Sequence, residues 1–415
     1  MLFIYRALIN LILLVSPLII ILRLFKKKEH PVRFLEKFGF NSKTRNKGKL
    51  IWFHGSSVGE ILSAIPLIEK LETKKNINQI LLTSSTLSSS RVFNKLKLKK
   101  TIHQFFPVDS NLIVKKFLSY WKPSAAIFIE SEIWPNMINN IKKRNIPLIL
   151  LNSRITKKSF NKWNKIILFS KSIFSKFDIC LSQNDETNIF LKKLGAKNIK
   201  KIGNLKFSET NIKKNNKLNK NVQKFLNAKK ILFAAISTHD NEEFFCANVL
   251  FQLKKKYSNA VLLIIPRHVE RVNEITNTIN NLRLNLHVHS SMKKINNNTD
   301  VYLVDTFGET ELFLKYCKIV FMGGSLIKHG GQNPLEAARL GCKIIHGPNI
   351  DNFKEVYALL NKSRVSSKIN NIKEARSEIG KILNTNFSSK KNIKKLNSIG
   401  KKILFNNKKE ISKYI

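Results

Sequence analysis

Apolar positions along this chain follow two alternating rhythms. Short unbroken apolar runs are separated by longer stretches in which apolar residues recur every three or four positions. The first rhythm is that of strands buried on both faces, the second that of amphipathic helices. The strand-like runs of the first half are Leu50–Phe53, Gln79–Ser84, Ala125–Glu130, Pro147–Leu151, Asp178–Ser182 and Lys200–Ile202. Residues 209–229 are rich in Asn and Lys, hold few large apolar groups, and read as a linker. A second series follows: Ile231–Ala235, Ala260–Ile265, Asn285–His289, Val301–Val304, Ile319–Met322 and Lys343–His346. Alternation of strand and helix predicts parallel, doubly wound sheets. Two such series predict an α/β chain of two Rossmann-like domains facing across a cleft. From about Asn370, Lys and Asn alternate with Ile and Leu at helical spacing, which predicts helices packed over the domains.

Ahead of the first strand lies a different pattern. Ala7–Leu22 is apolar apart from Asn10, Ser16 and Pro17, with Arg6 before it and Arg23, Lys26, Lys27 and Lys28 after it. The run is somewhat short of the ~20 residues that a spanning helix prefers, but Arg6 and Arg23 can snorkel and extend it. No small-x-small cleavage site follows, so the segment reads as an uncleaved anchor rather than a signal peptide. It either spans the bilayer or lies partly in the interface. The heavier positive flank on its C-terminal side keeps the remainder in the cytoplasm. The expected organisation is an anchor at 1–26, a first domain at 27–208, the linker at 209–229, a second domain at 230–385 and a helical tail at 386–415.

Composition changes this picture only a little. The 415 residues carry a formal net charge of +47, a footprint that invites a nucleic-acid reading. The excess of Lys goes together with an excess of Asn and Ile, as codons rich in A and T produce, and no nucleic-acid-binding motif is present. A nucleic-acid partner is therefore not expected, although acidic ligands and anionic membrane are attracted. Cys180, Cys246, Cys317 and Cys342 stand singly in or beside apolar segments and read as buried, reduced thiols.

Candidate chemistry gathers where strands end, since ligands of open α/β sheets bind at the carboxyl ends of their strands. Glu60 follows the first strand, in the first turn of a helix. There it is a general base, an anchor, or a carboxylate favoured by the helix dipole. Glu130 and Glu132 lie beside a Trp134-Pro135 corner, where Glu130 suits an ion pair with a cationic side chain. Lys206 follows a strand end as well, but by composition it is one solvated lysine among many. In the second half, Ser237-Thr238-His239 ends one strand with Glu242 and Glu243 in the helix behind. Arg267 and His268 end the next, placed for a phosphate or a base. Phe307, Gly308 and Glu309 form another strand-end turn. Strand Ile319–Met322 runs into Gly323-Gly324-Ser325, then Gly330-Gly331 and a helix with Asn333 as N-cap and Pro334 at its first position. Glycines and a helix N-terminus make an anion site, and Glu336 can accept from ribose hydroxyls. A phosphate is expected among the amides near Ser325, Gly331 and Asn333, with Arg267 nearby. Scattered histidines show no ligand spacing and no D-x-D occurs, so no metal site is expected.

Six motifs taken in order are more specific than any one of them. They are His54-Gly-Ser-Ser-Val-Gly-Glu60, Glu130-Ser-Glu-Ile-Trp-Pro135, Asn152-Ser-Arg154, Gly203-Asn-Leu-Lys206, Pro266-Arg-His268 and Gly331-Gln-Asn-Pro-Leu-Glu336. Together they resemble the 3-deoxy-D-manno-octulosonic acid (Kdo) transferases of Gram-negative bacteria, over essentially the whole chain. The resemblance implies a GT-B fold and metal-independent, inverting transfer of Kdo from CMP-Kdo to a lipid A precursor at the cytoplasmic face of the inner membrane. It implies Glu60 as the proton acceptor, with Glu130 and Lys206 stabilising the transition state. It implies a CMP site made of Arg267, His268, Phe307, Gly308, Glu309, Asn333, Pro334, Leu335 and Glu336. No cofactor is implied, since CMP-Kdo is a substrate. The alternative is another GT-B glycosyltransferase using a UDP-sugar.

Overall fold

The strand-like runs form two parallel seven-stranded sheets in a computed structural model that describes residues 1–208, 217–228, 231–291, 293–384 and 389–415. The first sheet contains β1 (Leu50–His54), β2 (Gln79–Ser84), β3 (Thr101–Phe105), β4 (Ala125–Ile129), β5 (Leu148–Ser153), β6 (Ile179–Ser182) and β7 (Ile199–Lys201). Its order is β3-β2-β1-β4-β5-β6-β7. The second contains β8 (Ile231–Thr238), β9 (Ala260–Pro266), β10 (Leu286–Val288), β11 (Val301–Leu303), β12 (Ile319–Met322), β13 (Lys343–His346) and β14 (Ser366–Lys368). Its order is β10-β11-β9-β8-β12-β13-β14. Chain direction across the sheet reverses between β1 and β4, and again between β8 and β12. Such reversal points open a crevice beyond the strand ends.

The central strands are apolar throughout because both of their faces are covered. All five residues of β1 are buried, and Ile51 is paired with Ile80 on one side and Ala125 on the other. Trp52 packs against Phe117 and Phe128 with ring centroids 5.0 and 5.2 Å away. Its indole Nε1 donates to Thr83 Oγ1 at 2.9 Å, so the buried donor is satisfied.

β3 and β14 are the two strands that the apolar pattern does not predict. Thr101, His103 and Gln104 interrupt the first, and the second is Ser-Ser-Lys. Both lie at sheet edges, where strands are short and polar. Of the expected linker, residues 209–216 and 229 lie outside the described residues. Within the remainder, helix Lys220–Ala228 buries Val222, Phe225 and Leu226, and Phe225 stacks on Tyr302 at 5.8 Å.

The chain divides into two compact units, Met1–Thr210 with Ile399–Ile415, and Asn211–Ser398. The tail forms helices Ile372–Asn384 and Ser389–Ile411. The end of the second helix belongs to the first unit. Glu410 pairs with Lys200 at 2.9 Å, and the Ile403 side chain lies against Gly203.

Candidate active site

In the first unit the chain leaves β1 at His54, turns through Gly55-Ser56-Ser57 and enters helix Val58–Glu72. Ser57 caps that helix, its Oγ accepting from the Glu60 amide at 3.3 Å. Its hydroxyl in turn donates to Glu60 Oε1 at 2.8 Å, while Glu60 Oε2 accepts from the Ser56 amide at 2.7 Å. This resembles a capping box whose return bond is moved one residue back, and it fixes the carboxylate at the strand end. Gly55 makes room for it, since a Cβ there would stand 3.1 Å from Glu60 Cβ. Burial, then the charge of Glu132 and more weakly that of Glu130, push the Glu60 carboxyl up to about 7 against the lowering effect of its hydrogen bonds.

Glu132 sits in the same place with the opposite outcome. Burial alone would raise it, but three donors outweigh burial and hold it below its ordinary value. They are His54 Nε2 at 2.9 Å, Trp134 Nε1 at 2.8 Å and Ser56 Oγ at 3.1 Å. His54 is itself fixed by Thr83 and by Phe106, whose ring stacks at 3.7 Å.

Glu130 follows β4 with a left-handed φ of +58°, an uncommon geometry that marks functional turns. Its carboxylate meets Lys206 Nζ at 2.7 Å, with both side chains largely buried. Lys206 is therefore not one more solvated lysine. Its loop is held by Asn152, whose Oδ1 accepts from the Leu205 amide at 2.8 Å. Asn152 also takes a left-handed φ, +52°. The structure thus brings Glu60, Glu130 and Lys206 together at the β1–β4 reversal and adds Glu132. The only sequence signal for Glu132 is its place beside the Trp134-Pro135 corner.

In the second unit β12 runs into Gly323, whose added Cβ would fall 2.2 Å from the Ser237 carbonyl oxygen. Only glycine permits that approach. The amides beyond it are not open to a ligand. Glu242, almost wholly buried, accepts from Gly324 at 2.6 Å, from Ser325 and Leu326 at 3.0 Å, and from His239 at 3.0 Å. The Gly331 amide donates to the Gly324 carbonyl at 2.7 Å. The expectation of a phosphate on the Ser325 and Gly331 amides is corrected accordingly. The chain's own carboxylate fills that anion cradle, which the run of glycines alone does not reveal.

A cluster of imidazoles and guanidinium groups lies beside it. The His239 ring is 4.2 Å from His329 and 5.9 Å from His268, and Gln332 Nε2 is 3.3 Å from its Nε2. Burial first, then His329, His268, Arg267 and Arg271, push His239 down to about 4. Arg271 is engaged by Glu243 and Glu274, each at 2.8 Å. The Arg267 side chain is exposed, with no ion pair to it among the described residues. Sequence reasoning missed His329, whose place beside His239 depends on the folding of the glycine loop.

The helix expected from Pro334 begins at Leu335, with Pro334 as N-cap and Asn333 Oδ1 accepting from the Leu335 amide at 3.1 Å. The Leu335 side chain is wholly buried and Glu336 is exposed. Phe307, 73% exposed, Gly308 and Glu309 follow β11, two strands from β8 in the sheet. Thr306 Oγ1 donates to the Glu309 carboxylate, and His289 lies 3.4 Å from it. Among the described residues no three His, Cys, Asp or Glu side chains converge as metal ligands.

Two Rossmann-like units with polar residues at their strand-order reversals define the GT-B class. The UDP-GlcNAc 2-epimerase from Neisseria meningitidis shares this fold at 12% identity, over 88% of this chain and 99% of that one, with a TM-score of 0.58. So does the glycotransferase of kitacinnamycin, at 11% identity over 89% and 100%, with a TM-score of 0.54. The family model described as 3-deoxy-D-manno-octulosonic-acid transferase (kdotransferase) matches residues 32–209. The 3-deoxy-D-manno-octulosonic acid transferase of Rickettsia prowazekii is 33% identical over 367 residues, 87% of this chain and 77% of that one. That of Rickettsia bellii is 32% identical over 412 residues, 99% of this chain and 97% of that one. The chain belongs to the 3-deoxy-D-manno-octulosonic acid (Kdo) transferase family of glycosyltransferases.

Proposed function

We propose that this protein transfers Kdo from CMP-Kdo to a lipid A precursor (lipid IVA) with inversion, in lipopolysaccharide biosynthesis at the cytoplasmic face of the inner membrane. The observation that carries the reading is the pair of carboxylates at the end of β1. Glu60 is raised to about 7 beside Glu132, which is held down. Neighbouring carboxyls whose environments drive them apart mark acid–base sites, and a base is most effective when it titrates near the working pH.

The acceptor hydroxyl oxygen forms a bond to the anomeric carbon of Kdo while the bond from that carbon to the phosphate oxygen breaks. CMP leaves with the electron pair, and Glu60 takes the hydroxyl proton. The buried Lys206–Glu130 pair places a fixed cation beside the reacting groups, where a preorganised charge is effective. In the second unit the Arg267 guanidinium and the imidazoles of His239, His268 and His329 suit the phosphate. Phe307 offers an exposed ring for the base. With these groups receiving the leaving anion, no divalent cation is required, and transfer to detergent-dispersed acceptor should survive EDTA.

The test is incubation with CMP-Kdo and lipid IVA, with added Kdo units counted by mass spectrometry. Glu60→Gln should cut turnover by about 10²–10⁴-fold while CMP affinity stays nearly constant. Near-normal turnover would remove Glu60 from the chemistry. Tighter binding of UMP than CMP would favour a UDP-sugar donor.

A further inference from the structure

The N-terminal helix, Leu2–Phe25, has an 18-residue window of mean hydropathy 2.5, yet it is not free of the protein. Leu2, Tyr5, Arg6, Ile9, Leu13, Ser16, Ile20, Arg23 and Leu24 are buried or half-buried, and their neighbours in sequence are exposed. Steps of three and four place these positions on one stripe running the length of the helix. Both ends are pinned to the first unit. At one end the Tyr5 hydroxyl donates to Asp109 Oδ2 at 2.7 Å and Arg6 Nε to Asn136 Oδ1 at 2.9 Å. At the other, Arg23 Nε donates to Glu29 at 2.7 Å. Glu29 is buried and also takes Lys37 Nζ at 2.6 Å, and the Lys37 carbonyl accepts from the Val108 amide at 2.8 Å.

Arg6 and Arg23 are roughly 25 Å apart along a helix rising 1.5 Å per residue. That approaches the ~30 Å depth of a bilayer core. A helix with both of these ends tied to one folded unit cannot carry one end to the far side of a membrane. Its outward faces are nevertheless apolar, with Phe3, Leu14 and Phe25 about four-fifths exposed. Two more exposed leucines stand next in sequence to residues that contact this helix. Leu112, 74% exposed, follows Asn111, which accepts from Arg6 at 3.3 Å. Leu168, 82% exposed, precedes Phe169, whose ring is 6.5 Å from Tyr5. Lys115 and Lys116 lie with Leu112 in helix Asn111–Trp121, Lys171 lies with Leu168 in helix Ile167–Phe174 and Lys165 just before it, and Lys26–Lys28 follow the anchor. An apolar helix face bordered by lysines matches the interface of an anionic bilayer.

We propose that Leu2–Phe25 is an in-plane anchor rather than a spanning one, and that its outer faces, with Leu112 and Leu168, form a single surface that sinks into an anionic membrane leaflet. This rests on the membrane part of the function proposed above. It goes further in fixing which side of the first unit meets lipid, and hence where an acyl-chain acceptor enters.

The four native cysteines are buried, which allows labelling of one introduced thiol. The full chain is expressed with a short cysteine-bearing extension ahead of Met1, or with Lys27→Cys, and inside-out plasma-membrane vesicles are prepared. A membrane-impermeant maleimide added outside should label both proteins before detergent. An extension labelled only after detergent would mean a spanning helix and overturn the proposal. In a second arm, purified protein is floated with vesicles of phosphatidylcholine and phosphatidylglycerol. Leu112→Glu combined with Leu168→Glu should reduce the bound fraction about tenfold, with Kdo transfer to detergent-dispersed acceptor unchanged. Undiminished flotation would overturn the assignment of that surface. Absence of Kdo transfer by the unaltered protein in detergent would sink the enzymatic reading alone, because labelling and flotation do not depend on it.

Discussion

Glu60 and Glu132 are neighbouring carboxyls driven in opposite directions, Glu60 up by burial and by the charge of Glu132, and Glu132 down by its donors. Because the folded chain disfavours the Glu60 anion, its proton is held more tightly in the native than in the unfolded state. Stability therefore falls as pH rises from the ordinary carboxylate range to about 7, by up to about 3 kcal/mol. Glu60→Gln removes that dependence. The variant should melt close to the natural protein near pH 4.5 and above it at pH 8, where the Glu60 anion is costly. A melting difference independent of pH would show that Glu60 does not titrate near 7. At Arg267 the expectation concerns binding. Arg267→Ala should weaken CMP by roughly 1.5–3 kcal/mol, the scale of a hydrogen bond to a charged group, and cytidine much less. Calorimetry with both ligands decides, and equal losses would make Arg267 a base contact or a structural residue. Glu60 and Glu130 were legible as strand-end carboxylates, since in a parallel sheet strand ends meet. The place of Lys206 beside them came only with the family resemblance, because by composition it reads as one solvated lysine among many. The roles of Glu242 and Asn152 were not legible, because their partners are backbone amides of distant loops. No local pattern records such partners.

At the level of elements, the apolar rhythm located every strand inside the sheets and the edge strands β7 and β10, but lost the edge strands β3 and β14, where one side is unpaired and polar residues cost little. It also missed helix Lys220–Ala228, whose three buried residues are diluted by Lys and Asn. Helix Ser389–Ile411 carries a less visible task. A Cβ on Gly400 would lie 2.1 Å from the Phe207 carbonyl oxygen, within the short turn Leu205–Ser208 that presents Lys206. In an unhindered helix Gly→Ala stabilises by about 0.5–1 kcal/mol. Gly400→Ala should instead push that turn aside and lengthen the 2.7 Å contact of Lys206 with Glu130. Turnover should fall by about tenfold or more, as small misplacements at reacting groups do. CMP affinity, which the proposed function assigns to residues of the second unit, should not change. Unaltered turnover would show that the turn yields without moving Lys206.

For the whole molecule, the place where folding begins differs from the place where the βα series begins. The first strand starts at Leu50, while the first domain is expected from residue 27. The structure puts residues 29–48 to use along the β3 edge. Glu36, buried, accepts from Arg33 Nε at 2.8 Å and from the Phe105 amide at 2.6 Å. Arg33 also reaches His103 Nδ1 and its carbonyl, both at 2.9 Å. Two truncations should therefore behave differently. Removing residues 1–26 takes the Tyr5 hydroxyl from Asp109 and the Arg6 guanidinium from Asn136 and Asn111, but opens the Asp109 carboxylate to water and leaves it the amides of Asn136 and Met137. The main losses are the burial of Leu2 and Tyr5 against the core, about 2–4 kcal/mol in all. That truncated protein should fold, melt several degrees lower, keep its activity on detergent-dispersed acceptor and no longer float with vesicles. Removing residues 1–48 deletes the Glu36 carboxylate from a buried edge strand, leaving the Phe105 amide without its acceptor, and strips Arg33 from His103. This second truncation should yield no cooperative melt. Circular dichroism with thermal scans separates the outcomes. A cooperative melt after loss of residues 1–48 would show that the segment merely lies on the sheet and does not complete it.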